Sequence, residues 1–116
     1  MALNDAALNI GNAAIQTAIV ALAIHTAEPN ASGSNESAAD RQVITWVTAA
    51  NGDLVATVDL PFTGGAASGA ATHAGFWSQE ADGGTFYGWQ LLTGDQTFNA
   101  AGEYTVTGIT ITGTAS

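Results

Sequence analysis

The chain has 116 residues, enough for one domain with a single hydrophobic core; it carries ten acidic residues, one basic residue (Arg41) and no cysteine, and its formal net charge is −9. Because nucleic acids and anionic membranes are bound through clusters of Lys and Arg, and because disulfides and thiolate metal sites need cysteine, this composition argues against all four. Only 9% of the residues are charged and 47% are hydrophobic, so Ala, Gly, Ser, Thr, Asn and Gln make up much of the surface, as is typical of subunits in an assembly.

Residues 1–19 are predicted to form a helix. Apolar residues recur three or four positions apart, which is the spacing of one helix face: Leu3, Ala7, Ile10, Ala14. Asn4 or Asp5 can cap its start. Gly11 weakens the helix interior by about 1 kcal/mol relative to alanine, so we expect this helix to depend on packing against another element.

The apolar run at 18–24 is too short to span a membrane, and no basic residue precedes it, so we expect neither a transmembrane segment nor a signal peptide. Alternating residues at 20–27 predict a strand, and the Pro-, Ser- and Asn-containing segment 28–40 predicts a long loop. Segments 41–47 and 54–62 are predicted to be partner strands around an Asn-Gly-Asp turn at 51–53, the second ending at Pro61. A connector of small residues follows at 63–71.

The segments "THAGFW" (72–77) and "TFYGWQLL" (85–92) are predicted to form a hairpin around the turn at 78–84. After a turn at 100–102, a Thr-rich strand contains Tyr104 and Ile111 and is predicted to bulge at Gly108. The whole chain, 1–116, is therefore predicted to be one mainly β domain: a compact β-sandwich or jelly-roll-like unit of six to seven strands over 20–116, preceded by the helix.

The sequence offers little for catalysis. His25 and His73 both lie in apolar strands, where a hydrogen-bonded structural histidine is the expected role. The acidic residues of the long loop and of the hairpin turn lack the spacing of a calcium loop or the rigid pairing of a glycosidase: Glu28, Glu36, Asp40, Glu80, Asp82. Serines lack the flanking glycines of a nucleophile elbow, and no phosphate-binding loop is present. We therefore predict no enzyme activity, no catalytic residue, no cofactor and no metal.

The aromatic residues of the hairpin are the candidates for contact with a partner or a sugar. Alternation along a strand places neighbouring residues on opposite faces. Trp77 is predicted to be buried, because Gly75 and Gln79 leave it as the main apolar side chain on its face, and Trp89 is predicted to be exposed. Tyr87 and Leu91 are predicted to share the face of Trp89. Arg41 is predicted to pair with Asp40, Glu36 or Glu28, or with an acid of a neighbouring subunit. We name Trp89, Tyr87, Leu91 and Arg41 as candidate contact residues.

Several segments, in their order along the chain, resemble a known family. These are the His-Thr-Ala-Glu-Pro stretch at 25–29, the Asn35-Glu36 pair ahead of Arg41 and Gln42, and the Thr-His-Ala-Gly-Phe-Trp strand at 72–77. Together they resemble small tail-fibre-type virion structural proteins of phages that infect actinobacteria, over almost the whole chain. Family members often have glycines where this chain has Tyr87 and Trp89.

The resemblance implies a structural protein of the virion, assembled in the host cytoplasm, with no reaction and no cofactor. The expected function is that of a tail or tail-tip component that forms homo-oligomers and docks onto other virion proteins. A capsid decoration protein on the head is one alternative. A carbohydrate-binding adhesin, whose aromatic residues stack on host surface glycans, is the other.

Overall fold

A computed structural model of the chain describes residues 4–47, 54–56, 59–107 and 109–111. Within them, the fold is mainly β with one helix near the amino terminus, as predicted. The helix is α1 (Asp5–Ala18), and there are eight strands, close to the predicted number of about six or seven: β1 (Ala21–His25), β2 (Gln42–Val43), β3 (Leu54–Ala56), β4 (Leu60–Phe62), β5 (His73–Trp77), β6 (Phe86–Leu91), β7 (Tyr104–Val106) and β8 (Ile109–Ile111).

Helix α1 confirms the predicted helix and its cap. The side chain of Asn4 accepts a hydrogen bond from the backbone N–H of Ala7 (3.0 Å), and Asp5 stands in the first turn, where the helix dipole favours an acid. The helix ends at Ile19, which has an extended backbone. None of its residues is buried, so the apolar side of α1 is largely uncovered within the described part of one chain.

Four antiparallel strands form the main sheet, in the order β2-β1-β5-β6. Directly paired residues lie on the same side of a sheet. Leu22 and Ile24 of β1 pair with Phe76 and Ala74 of β5 and face the core. The alternate residues of both strands face the other side, yet they too are buried: the loop 28–40 contacts His25 and Trp77, and Trp89 of β6 contacts His73.

The second layer consists of two short ribbons, β3 paired with β8 and β4 paired with β7. The hydrophobic core lies between these ribbons and the main sheet and includes residues of both layers: Leu22, Ile24, Ala56, Leu60, Phe62, Phe76, Phe98, Val106 and Ile109. This two-layer arrangement is the predicted sandwich type.

Of the predicted pairing of 41–47 with 54–62, the described residues show one backbone hydrogen bond, from the N–H of Val47 to the carbonyl oxygen of Val55 (2.7 Å), and the strands themselves have other partners. The first segment is a strand only over Gln42–Val43, and it pairs with β1. The second segment contains β3 and β4, whose partners lie in the carboxyl-terminal segment. A two-residue periodicity identifies a strand but not its partner, and here the distant pairing brings Leu60 and Val106 together in the core. The predicted turn at 51–53 lies outside the described residues.

Pro61 does not end its strand but lies within β4, opposite Thr105. Proline is tolerated there because β4 pairs with β7 alone, so its other side has no neighbouring strand to which a backbone N–H would donate. The predicted carboxyl-terminal strand divides into β7 and β8, and its expected bulge at Gly108 lies outside the described residues.

The predicted hairpin is confirmed as β5 and β6, with one irregularity. Trp77 pairs with Phe86 and Phe76 pairs with Gly88, which leaves Tyr87 as the extra residue of a bulge. Trp89 pairs with Gly75, so the bulge puts Phe86 and Trp89 on the same side of the sheet. Trp89 and Leu91 share a side as predicted, whereas Tyr87 is outside the alternation.

Candidate functional site

Arg41 immediately precedes β2 and is the buried centre of a polar cluster. Its guanidinium forms a bidentate pair with Glu36: Nε donates to Oε2 (2.8 Å) and Nη2 donates to Oε1 (2.9 Å). The predicted pairing with an acid is therefore confirmed, with Glu36 as the partner. A bidentate pair fixes the orientation of both side chains, so it holds the long loop against the start of β2.

The same guanidinium also binds the turn between β5 and β6. Nη1 donates to the carbonyl oxygens of Gln79 (3.1 Å), Ala81 (2.8 Å) and Gly83 (2.8 Å). The guanidinium carbon lies 3.9 Å from the ring centroid of Trp77, a cation–π contact. Arg41 is only 5% exposed, so it joins two loops internally and does not belong to an outer contact surface.

His25, the last residue of β1, is completely buried beside this cluster. Its Nδ1 lies 2.8 Å from the carbonyl oxygen of Ser34 and must donate, and its Nε2 accepts from the indole N–H of Trp77 (3.3 Å). These two contacts require the neutral ring. Burial lowers the pKa of His25. The charges of Arg41 and His73 lower the pKa of His25 further, whereas the Ser34 carbonyl and the Glu36 carboxylate raise it. The structural role predicted for this histidine is confirmed.

His73 pairs with His25 across the two central strands. Its Nδ1 lies 2.7 Å from the hydroxyl of Thr72, and its ring meets that of Trp89 edge-to-face at 4.9 Å. Among the described residues, His, Asp and Glu side chains do not gather in groups of three or more that could hold a metal ion.

Three exposed large apolar side chains lie on β6. Trp77 is buried as predicted, and Trp89 is 42% exposed as predicted. Tyr87 is 50% and Leu91 53% exposed. Strand β6 is at the edge of the main sheet, with no described strand on its outer side. Three of the four candidate contact residues thus lie together on one open edge.

Helix α1 lies beside this edge, and the two elements enclose an open groove of about 500 Å³. We call it the edge groove, and its lining is almost entirely apolar: Ala14, Ile15, Ala18, Ile19, Phe76, Tyr87, Gly88 and Trp89. Its lining carries no carboxylate, imidazole or ammonium group. Such a lining suits contact with another apolar surface or with a flat sugar ring.

Sequence reasoning missed the contribution of α1 to this groove. A signal was present in the charges: segments 6–27 and 83–94 contain no Asp, Glu, Lys or Arg in a chain with ten acids. These two segments provide every lining residue except Phe76. In so acidic a chain, long uncharged segments that meet in space indicate a contact surface.

A family model described as "Podophage GP4 fiber I protein gp80" matches residues 2–114. No match was found among the curated proteins, and none among the solved structures. Among the described residues there is no helix with the length and apolar content that crossing a bilayer requires.

Proposed function

Because the match spans nearly the whole chain, the protein belongs to the podophage GP4 fiber I protein gp80 family of phage fibre proteins, and we propose that it is a tail or tail-tip component that self-associates and docks onto other virion proteins. Membership of a phage fibre family implies a component of the virion. The family match does not name a bacterial host, so the actinobacterial host implied by the sequence resemblance is part of the proposal.

The observation that carries this proposal is the uncovered apolar surface. A free monomer gains nothing from a helix with no buried residue or from an edge strand with exposed Tyr87, Trp89 and Leu91. Exposed apolar area of this kind marks sites where other proteins bind. In a virion, neighbouring subunits cover such surfaces on assembly.

The position of the protein in the particle tests the proposal. Phage particles carrying an epitope-tagged chain are labelled with a gold-conjugated antibody and imaged by electron microscopy, with untagged particles as the control. We expect label at the tail or tail tip. Label distributed over the head would instead support a capsid decoration protein, and unlabelled particles that contain no tagged chain by mass spectrometry would contradict any virion role.

A sugar-binding role has one observation in its favour, the exposed aromatic rings of Trp89 and Tyr87, since sugars stack on such rings. Binding of the purified chain to a glycan array, compared with Trp89→Ala, tests this second function. We expect the signal of any bound glycan to fall in the variant. Equal binding by both chains would rule out Trp89 as the stacking residue.

A further inference from the structure

We propose that a second copy of this chain occupies the edge groove, and that the two β6 strands lie side by side across a twofold axis. The inference rests on the proposed function, because it names the surface through which the chain self-associates.

Charge favours a second copy over a basic partner. Each chain carries a formal net charge of −9, so two copies repel wherever their acids approach one another. The edge groove is the place where they can meet without this cost, because its two main segments, 6–27 and 83–94, are uncharged. A basic partner would be attracted to the carboxylates elsewhere on the surface, and the groove offers it none.

The exposed apolar area is that of a standard interface. Ile15 borders the groove and is 40% exposed, and Ile10, one helical turn before Ala14, is 75% exposed. With Tyr87, Trp89 and Leu91 they expose on the order of 400 Å², taking about 150–250 Å² for a whole aromatic side chain. A standard interface buries about 800 Å² per partner, and a homodimer interface is about 65% apolar, which requires a similar apolar area.

The two edges of the main sheet differ in a way that selects β6. The opposite edge, β2, is only two residues long, whereas β6 has six residues and carries neither a charge nor a proline. Charges and prolines are the usual protection of an edge against pairing. The bulge at Tyr87 leaves 88–91 as the regular part of the strand. Twofold pairing there would join two four-stranded sheets into one of eight strands.

Sedimentation equilibrium of the purified full-length chain tests the inference first. We expect concentration-dependent dimers for the wild type. Trp89→Glu and Ile15→Glu place a charge in the contact from two different elements, and each should weaken dimerisation by about 30-fold or more, the size of a hot-spot loss. Val43→Glu is the matched control, because Val43 is a similarly exposed apolar residue (49%) on the opposite edge. Circular dichroism verifies that each variant is folded.

Single cysteines give a second measurement that does not depend on weakening the contact. The chain has no cysteine, so one introduced at Trp89, Gln90 or Leu91 is unique. In a twofold antiparallel pair, the residue nearest the axis lies opposite the same residue of the second copy, and oxidation should give a disulfide-linked dimer that peaks at one of these three positions. Val43→Cys should remain monomeric on a non-reducing gel.

A wild type that stays monomeric at millimolar concentration would overturn the inference. So would glutamate variants that dimerise as well as the wild type, or β6 cysteines that crosslink no better than Val43→Cys. None of these results depends on where the protein lies in the particle. A monomeric chain found on the tail would exclude this interface but support the virion role. A dimeric chain absent from particles would support the interface but contradict the virion role.

Discussion

Replacing Arg41 by alanine removes the contact that joins the long loop to the hairpin turn. The side chain is 5% exposed and makes five hydrogen bonds, two to Glu36 and three to the carbonyl oxygens of residues 79, 81 and 83. It also covers one face of Trp77. The variant should therefore loosen both loops and expose the indole ring to water.

The cost follows from how buried each partner is. Removing one member of a fully buried ion pair costs about 3–5 kcal/mol. Here the Glu36 side chain is 25% exposed and the three carbonyls belong to exposed residues, so water can replace part of what is lost. We therefore expect Arg41→Ala to lower the free energy of unfolding by about 2–4 kcal/mol. At roughly 4 °C per kcal/mol for a domain of this size, the melting temperature should fall by about 8–16 °C.

Thermal melts at one fixed protein concentration, followed by circular dichroism, measure this loss. Arg41→Lys keeps the charge but loses the bidentate geometry, so it should fall between the wild type and Arg41→Ala. Asp40→Ala is the control, because Asp40 is an exposed acid beside Arg41 and its loss should change stability by no more than about 0.5 kcal/mol. If Arg41→Ala melted within 2–3 °C (roughly 0.5 kcal/mol) of the wild type, the cluster would not hold the two loops together.

Three further predictions concern stability. Trp77→Ala should cost about 3–5 kcal/mol because the ring is buried, and Trp89→Ala only about 1–2 kcal/mol because much of its ring is exposed; urea denaturation compares them. Gly75→Ala should cost at least about 2 kcal/mol, because its Cβ would clash with Nε2 of His25, whereas Gly11→Ala, which has open space around it, should gain about 1 kcal/mol in thermal melts. Burial lowers the pKa of His25 below 6.5, so as the pH falls the histidine is protonated in the unfolded chain before it is protonated in the folded one. The neutral, buried His25 therefore contributes fully to the free energy of unfolding above about pH 6.5, and this contribution is lost as the pH falls further. Urea titrations at about pH 7.5 and 5.5 should show the loss in the wild type and a smaller one in His25→Gln.

Local features of the chain were predictable, and features that depend on distant partners were not. The helix cap at Asn4 and the β5–β6 hairpin follow from residues close together in sequence. The partner of 54–62 does not, because any strand with the right alternation could pair with it, and only the assembled core selects 104–111.

The same distinction applies to the candidate site. That a lone arginine among ten acids would find a carboxylate was predictable, but the three carbonyls at 79, 81 and 83 depend on how the hairpin turn folds. The exposure of Trp89 was predicted, but from the wrong cause: Trp77 and Trp89 lie on the same side of the sheet, and Trp89 is exposed because β6 is the edge strand. The bulge at Tyr87 has no signal beyond the neighbouring Gly88. The share of α1 in the edge groove arises only from tertiary placement.

The burial of Arg41 also determines how fast trypsin can cleave the folded chain. Trypsin cleaves after Lys or Arg, and this chain has one such residue, so only one cut is possible, giving fragments 1–41 and 42–116. Trypsin binds the guanidinium in its own specificity pocket, so Arg41 must first lose its hydrogen bonds to Glu36 and to the hairpin carbonyls. Tryptic digestion should therefore proceed only through molecules whose long loop has opened, and the rate of this single cut reports how often that opening occurs.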